Sequence, residues 1–178
     1  MKFLPYLLAA TLTLGWLNAA ESNPAPSAGK PAADTPDHKS IGGFEAQVFL
    51  TDNPRIFVDW SGQKSPKIKP AEVARRGVPI YAGILFADHS LDAGGKANVT
   101  CDFTVRKPDG SVYAKEKDIP VWRSRYPAHA PGLQISEGSM GIIIDPPDPA
   151  GRYTVEAVVH DTIKKTDLTV ETTFEVLR

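Results

Sequence analysis

The side chains able to carry chemistry are few: one cysteine, Cys101, and four histidines, His38, His89, His129 and His160. A cysteine acts as nucleophile or metal ligand only as the thiolate. Cys101 stands in phase with Val99, Phe103 and Val105, the inward positions of a strand, and no histidine is fixed beside it in sequence. It therefore reads as core packing. The histidines have Asp88, Asp92 and Asp161 nearby, but no two of them are spaced i,i+2 or i,i+4 as in a preorganised zinc site. Beyond Met1 the only methionine is Met140, which excludes a methionine-rich copper site. Asp88, His89 and Ser90 are consecutive and cannot align as a triad, whose members meet through tertiary contacts. Ser139, preceded by Gly138, runs into a strand rather than a strand-to-helix elbow. Asn98-Val99-Thr100 matches a glycosylation acceptor but sits inside a predicted strand, so it reads as accidental. No catalytic residue, metal site or cofactor is expected.

The richest segment for recognition is IPVWRSRYPAHAPGLQ, residues 119–134. Trp122, Arg123, Arg125, Tyr126 and His129 gather there in what reads as a long loop. Long loops in compact domains are often functional. Arginine beside exposed Trp and Tyr suits an anionic or sugar-like ligand, or a protein partner. The competing reading has Trp122 folding back over an open sandwich edge while the arginines lie along the surface.

The elements around these residues have period two. Val99, Cys101, Phe103 and Val105 alternate with polar neighbours, as do Tyr153, Val155, Ala157 and Val159, and then Leu168, Val170, Thr172, Phe174 and Val176. Such runs mark half-buried antiparallel strands. Further strands are predicted at Phe44–Leu50, Val78–Ala87, Ser111–Glu116 and Met140–Asp145, with Ile142–Ile144 buried on both faces. Pro108-Asp109-Gly110 reads as a hairpin turn, and the run from Pro146 to Gly151 as a rigid corner. One short helix is predicted near residues 54–60, capped by Asp52 or Asn53, with Ile56, Phe57 and Trp60 on one face. Ala71–Arg76, between Pro70 and Gly77, reads as a further helical turn. The fold class that follows is all-β: an immunoglobulin-like antiparallel sandwich of about seven strands.

The N-terminus points to export. Lys2 precedes an apolar run from Phe3 to Leu17, and Ala19 and Ala20 precede an abrupt polar switch at Glu21. That is the pattern of a secretory signal over residues 1–20, cleaved after Ala20 or alternatively Ala19. The run is shorter than the roughly 20 apolar residues of a bilayer span, so no span is expected in the mature chain. Residues 21–40 hold four prolines and no large apolar side chain, and read as a disordered Pro/Ala-rich arm before a domain over 41–178. The whole chain carries 20 basic and 21 acidic residues; losing Lys2 with the signal moves the net charge from −1 to −2. Nothing in that balance argues for nucleic acid, whose binding needs a clustered basic footprint. A single cysteine allows no internal disulfide, so the core alone must hold the fold.

Several stretches carry a resemblance: TDNPRIFVDW at 51–60, ARRGVPIYAGILF at 74–86, KPDGSVY at 107–113, GRYTVEAVVHD at 151–161 and the final LTVETTFEV. Together they resemble small exported proteobacterial sandwiches of immunoglobulin-like or macroglobulin-like type, a family without an assigned function. The resemblance implies the fold and a periplasmic address, and no activity. Relatives carry cysteines around the loop that here reads ADHSLDAGGKANVTC; this chain has only Cys101, so no disulfide is carried over. The expectation is a periplasmic or secreted, non-enzymatic binding protein, with an unknown protein or a small anionic or sugar-like ligand as partner. A small hydrolase or metal carrier using dispersed His and Asp is the alternative, and a structural protein pairing through an exposed edge strand is a third.

Overall fold

The structure is a computed structural model describing residues 33–60, 67–123 and 132–178. The expected signal, and the arm as far as residue 32, lie outside the described residues. Two five-stranded sheets face each other as an immunoglobulin-like sandwich. The first contains β1 (His38–Ile41), β2 (Phe44–Thr51), β4 (Ile80–Ala87), β7 (Gln134–Ile135) and β8 (Met140–Ile142), with β7 and β8 both pairing with β4. The second runs in the order β3 (Val73–Ala74), β10 (Thr166–Val176), β9 (Gly151–Asp161), β5 (Val99–Arg106), β6 (Val112–Trp122). All pairings are antiparallel except β3 with β10.

Alternation places the core. Val99, Cys101, Phe103 and Val105 of β5, and Tyr153, Val155, Ala157 and Val159 of β9, all point between the sheets. They meet Phe44, Ala46, Val48 and Leu50 of β2 and Ile80, Ala82, Ile84 and Phe86 of β4. Successive side chains of a strand face opposite ways, so one face is buried while the other stays polar. β4 departs from this because its outer face is covered too. The helix α1 (Ile56–Asp59) lays Ile56 and Phe57 there, with Trp60 just beyond, against Phe49, Leu85 and Ile135. Gly83 makes this approach possible: a Cβ on it would collide with the Phe57 ring and stand 2.8 Å from Phe49 Cζ.

Tyr153 supplies a tyrosine corner, a hallmark of immunoglobulin-like sandwiches. It stands near the start of β9, and its hydroxyl donates to Pro149 O, four residues upstream, at 2.9 Å. Its ring stacks on Phe174 and meets Tyr113 edge-on. Antibody domains place a cysteine two residues after that tyrosine; here the position is Val155, in keeping with a core that has no disulfide.

The two flanks of the sandwich are closed differently. On one, Gly138 N–H donates to Pro120 O at 2.9 Å and Glu137 N–H to Val121 O at 3.1 Å. Gly138, which in sequence precedes a candidate serine, is needed for packing: a Cβ there would meet Ile119 Cγ2 at 2.9 Å. On the other flank, residues 36–37 and 70–74 bridge β2 and β10. Val48 N–H donates to Asp37 O, Glu171 N–H to Pro36 O, Ala71 N–H to Leu50 O and Glu175 N–H to Glu72 O.

Several sequence expectations are corrected. The described end of the expected arm is structured, because His38–Ile41 pairs with β2 and Asp37 accepts from the Gln47 amide and the Thr35 hydroxyl. Pro36 has no N–H, but its carbonyl still serves β10. The Ala71–Arg76 turn is extended as β3, and the chain reverses only at Arg76–Gly77, where Gly77 has φ 72°. Asn53 does not cap α1; its Oδ1 accepts the Arg55 N–H in a turn one step earlier. Ile143 is exposed between buried Ile142 and Ile144, so that strand is not buried on both faces. The described residues form ten strands: the seven predicted, and β1, β3 and β7, pieces of two to four residues too short to show alternation.

Candidate functional site

The residues singled out in sequence do not converge. β6 continues through Ile119 and Pro120 to Trp122, so the segment expected as a loop begins as strand. Bulges between Val99 and Thr100 and between Cys101 and Phe103 let it run past Pro120 beside β5. Trp122 is 5% exposed and belongs to the core, its ring 5.6 Å from Phe86 and 6.1 Å from His89 between centroids. Among the described residues its indole N–H has no acceptor. Arg123 is exposed but engaged: its Nε donates to Asn98 Oδ1 at 3.0 Å, its guanidinium pairs with Asp118, and its backbone N–H donates to Glu137 Oε1 at 3.3 Å. That cation is neutralised locally, which weakens it as an anion receptor. Arg125, Tyr126 and His129 lie outside the described residues.

The candidate chemical groups are absorbed by packing. Cys101 is 0% exposed, and burial, aided by the Asp102 carboxylate, pushes its thiol far above the usual range. His89 is buried against Phe86 and Trp122. Ser90 uses its backbone N–H on Asp161 Oδ2 at 2.8 Å, while Asp161 Oδ1 accepts from Ile163 and Lys164 N–H at 3.1 Å. Asp161, buried, is thus saturated by loop amides. His160 pairs with Asp167 at 2.8 Å and His38 with Glu45 at 3.5 Å. Among the described residues no three His, Cys, Asp or Glu side chains form a group that could hold a metal ion. The Asn98 carbonyl and side chain are held by Thr162 and Arg123.

A different surface gathers unspent groups. Where β3 crosses the open flank, a groove of about 630 Å³ is lined by Asp52, Val73, Arg75, Val78, Leu177 and Arg178, floored by Ala74 and Ile80. Val73 and Val78 are each 47% exposed and Leu177 is 65% exposed, three of the eight large apolar side chains so exposed among the described residues. Large exposed apolar side chains gathered in one place mark interaction sites more often than scattered ones. Arg76 is spent on the Asp145 and Asp148 carbonyls, both at 2.8 Å. Arg75 and Arg178 make no ion pair among the described residues. On the other side of the same segment lies a cleft with Asp37, Glu72, Arg152 and Glu175, where Arg152 already pairs with Glu175 at 2.9 Å. Hydrogen bonds from Gln47, with smaller help from Thr35, hold Asp37 below the usual carboxylate range. No local pattern in the sequence marks the groove: its parts are distant along the chain, and Ala71–Arg76 reads as a helical turn closed by Gly77.

No family model and no curated protein matches this chain. Solved structures match at low similarity. A family 123 glycoside hydrolase from Clostridium perfringens is 18% identical over 76% of this chain, with TM-score 0.43, and this chain spans only 27% of it. A Niemann-Pick type C2 protein from Japanese carpenter ant is 13% identical over 79% of this chain and 98% of its own, with TM-score 0.41. A CARDB domain from Pyrococcus furiosus, solved in complex with di-metal ions, is 10% identical over 82% of this chain and 98% of its own, with TM-score 0.37. This chain is thus distantly similar to sandwich domains, and no family membership follows.

Proposed function

We propose that this chain is an exported, non-enzymatic binding protein that holds a partner in the groove beside β3. The observation that carries the reading is the concentration of exposed Val73, Val78 and Leu177 around Arg75 and Arg178, which have no ion pair among the described residues. Apolar area with arginine at its rim is the usual composition of a binding surface. The apolar run Phe3–Leu17 with Ala19 and Ala20 supports export. Among the described residues no helix is long and apolar enough to cross a membrane.

The test is selection of ligands from a random peptide library on the folded protein, repeated on a Leu177→Asp, Arg75→Glu variant. The variant should melt within a few degrees of the parent, since both side chains are exposed. Selected sequences should be apolar and acidic and should lose binding to the variant. Ligands that bind parent and variant equally would remove the groove as the contact surface.

A further inference from the structure

We infer that the partner in this groove is an extended acidic segment that adds as a strand beside β3; the inference rests on the groove being the binding surface. Among the described residues β3 is the last strand of its sheet, with β10 on one side; on the other side Ala71, just before it, gives its N–H to Leu50 O of β2, so the free edge begins at Val73. Its pairing with β10 is parallel, in the register Val73 with Glu175 and Ala74 with Val176. Glu72 O accepts the Glu175 N–H at 2.8 Å, which turns Glu72 and Ala74 toward β10. Alternate residues of a strand direct their backbone groups to opposite sides, so the N–H and C=O of Val73 face outward into the groove. An open sheet edge of this kind is a template for strand addition.

The other edge of the same sheet is defended. β6 carries register breaks, Lys115 and Lys117 along its length, Asp118 at φ 59° and Pro120. These are the usual devices against pairing. β3 has no bulge or proline of its own, and the side chains flanking its free edge are exposed Val73, Val78 and Leu177. Charge decides the partner's chemistry: Arg75 and Arg178 have no ion pair among the described residues and Asp52 is the sole acid lining the groove. A strand alternating carboxylates with apolar side chains would set the former on the arginines and the latter on the valines and Leu177. Pro70 before β3 and the turn at Arg76–Gly77 after it keep the pairing edge short. Side-chain contacts must therefore carry most of the affinity, with backbone bonds setting direction.

The probe is a short, end-blocked peptide alternating Glu with Val, titrated into the isotope-labelled full chain while backbone amide shifts are followed. Shifts should centre on Val73, Arg75 and Leu177. Binding should weaken by at least about tenfold when alternate peptide nitrogens are methylated, which removes the pairing donors. A Lys/Val peptide should not bind, and Arg75→Glu should exchange the two preferences. Equal binding of the methylated and parent peptides overturns strand addition yet leaves the groove as a binding surface. Shifts from decanoate with none from the peptide overturn it in favour of a small amphiphilic anion. Peptide shifts outside the groove overturn both readings.

Discussion

At Cys101 the core is closed on every side, and the thiolate would have to form without water. Burial pushes the thiol up, so a thiol reagent should label the folded protein at a negligible rate and label it fully once denaturant is added. Stoichiometric labelling of the folded state would mean that β5 is out of phase. Trp122 makes a second residue-scale prediction. Its truncation to Ala should cost about 3–5 kcal/mol, as for other core tryptophans, and lower the melting midpoint by well over about ten degrees. Trp122→Phe should recover part of that loss, because it keeps an aromatic against Phe86 while deleting an indole N–H that has no acceptor among the described residues. A midpoint unchanged in Trp122→Ala would place the side chain at the surface. The strand phase at Cys101 was legible because alternation over β5 is unbroken. The place of Trp122 was only half legible: Pro120 in IPVW argues against a strand, and only the bulged pairing with β5 lets one pass it.

At the scale of elements, α1 and β4 depend on one another through Gly83. A methyl at that position would collide with the Phe57 ring, so Gly83→Ala should destabilise by about 1–3 kcal/mol in a urea titration. Combined with Phe57→Leu, the loss should be smaller than the sum of the single losses, because the smaller side chain leaves room for the methyl. Strict additivity would mean that the helix does not rest on that strand. The helix itself could be read from PRIFVDW, where Ile56, Phe57 and Trp60 share a face. β3 could not. Its two residues carry no periodicity, and the local signals of Pro70 and Gly77 favour a helical turn; a hydrogen bond from Glu175, about a hundred residues away, makes it a strand.

Across the whole molecule, stability should fall at both ends of the pH scale. Burial of Asp148 works against its ionisation, but hydrogen bonds from Lys107 at 3.2 Å and Tyr113 at 3.0 Å outweigh it and hold the carboxyl below its ordinary 3.8. Asp109, through its bonds from Ser111, and Asp37 are lowered likewise. Groups lowered on folding stabilise the protein above the unfolded value, and that contribution is lost as pH falls through the folded one. Tyr113 is the reverse case. Burial, then the Asp148 hydrogen bond and charge, push its phenol from 10.0 up to about 12. Its contribution is complete below pH 10 and disappears as pH rises to about 12. The urea midpoint should thus decline below about pH 4 and again above about pH 10. Tyr113→Phe should flatten the alkaline limb and Asp148→Asn the acid one; limbs unchanged in both variants would remove this cluster as the cause.

What the sequence determined by itself is the architecture. The alternation of β5, β9 and β10 and the turn at Pro108–Gly110 specify half-buried strands and their hairpins, because local side-chain order sets which face can be buried. Composition likewise determined that no internal disulfide could be built, since the sequence holds one cysteine. Only the tertiary structure decided which side chains are spent and which remain available. Arg123 reads as a binding arginine in sequence, yet it is consumed by Asn98 and Asp118, and Arg76 is likewise spent on two carbonyls. Val73, Arg75, Val78, Leu177 and Arg178 look unremarkable along the chain and become a surface when β3 lies against the end of β10. Availability depends on hydrogen bonds and burial between distant segments, and those are properties of the packed fold that no local pattern encodes.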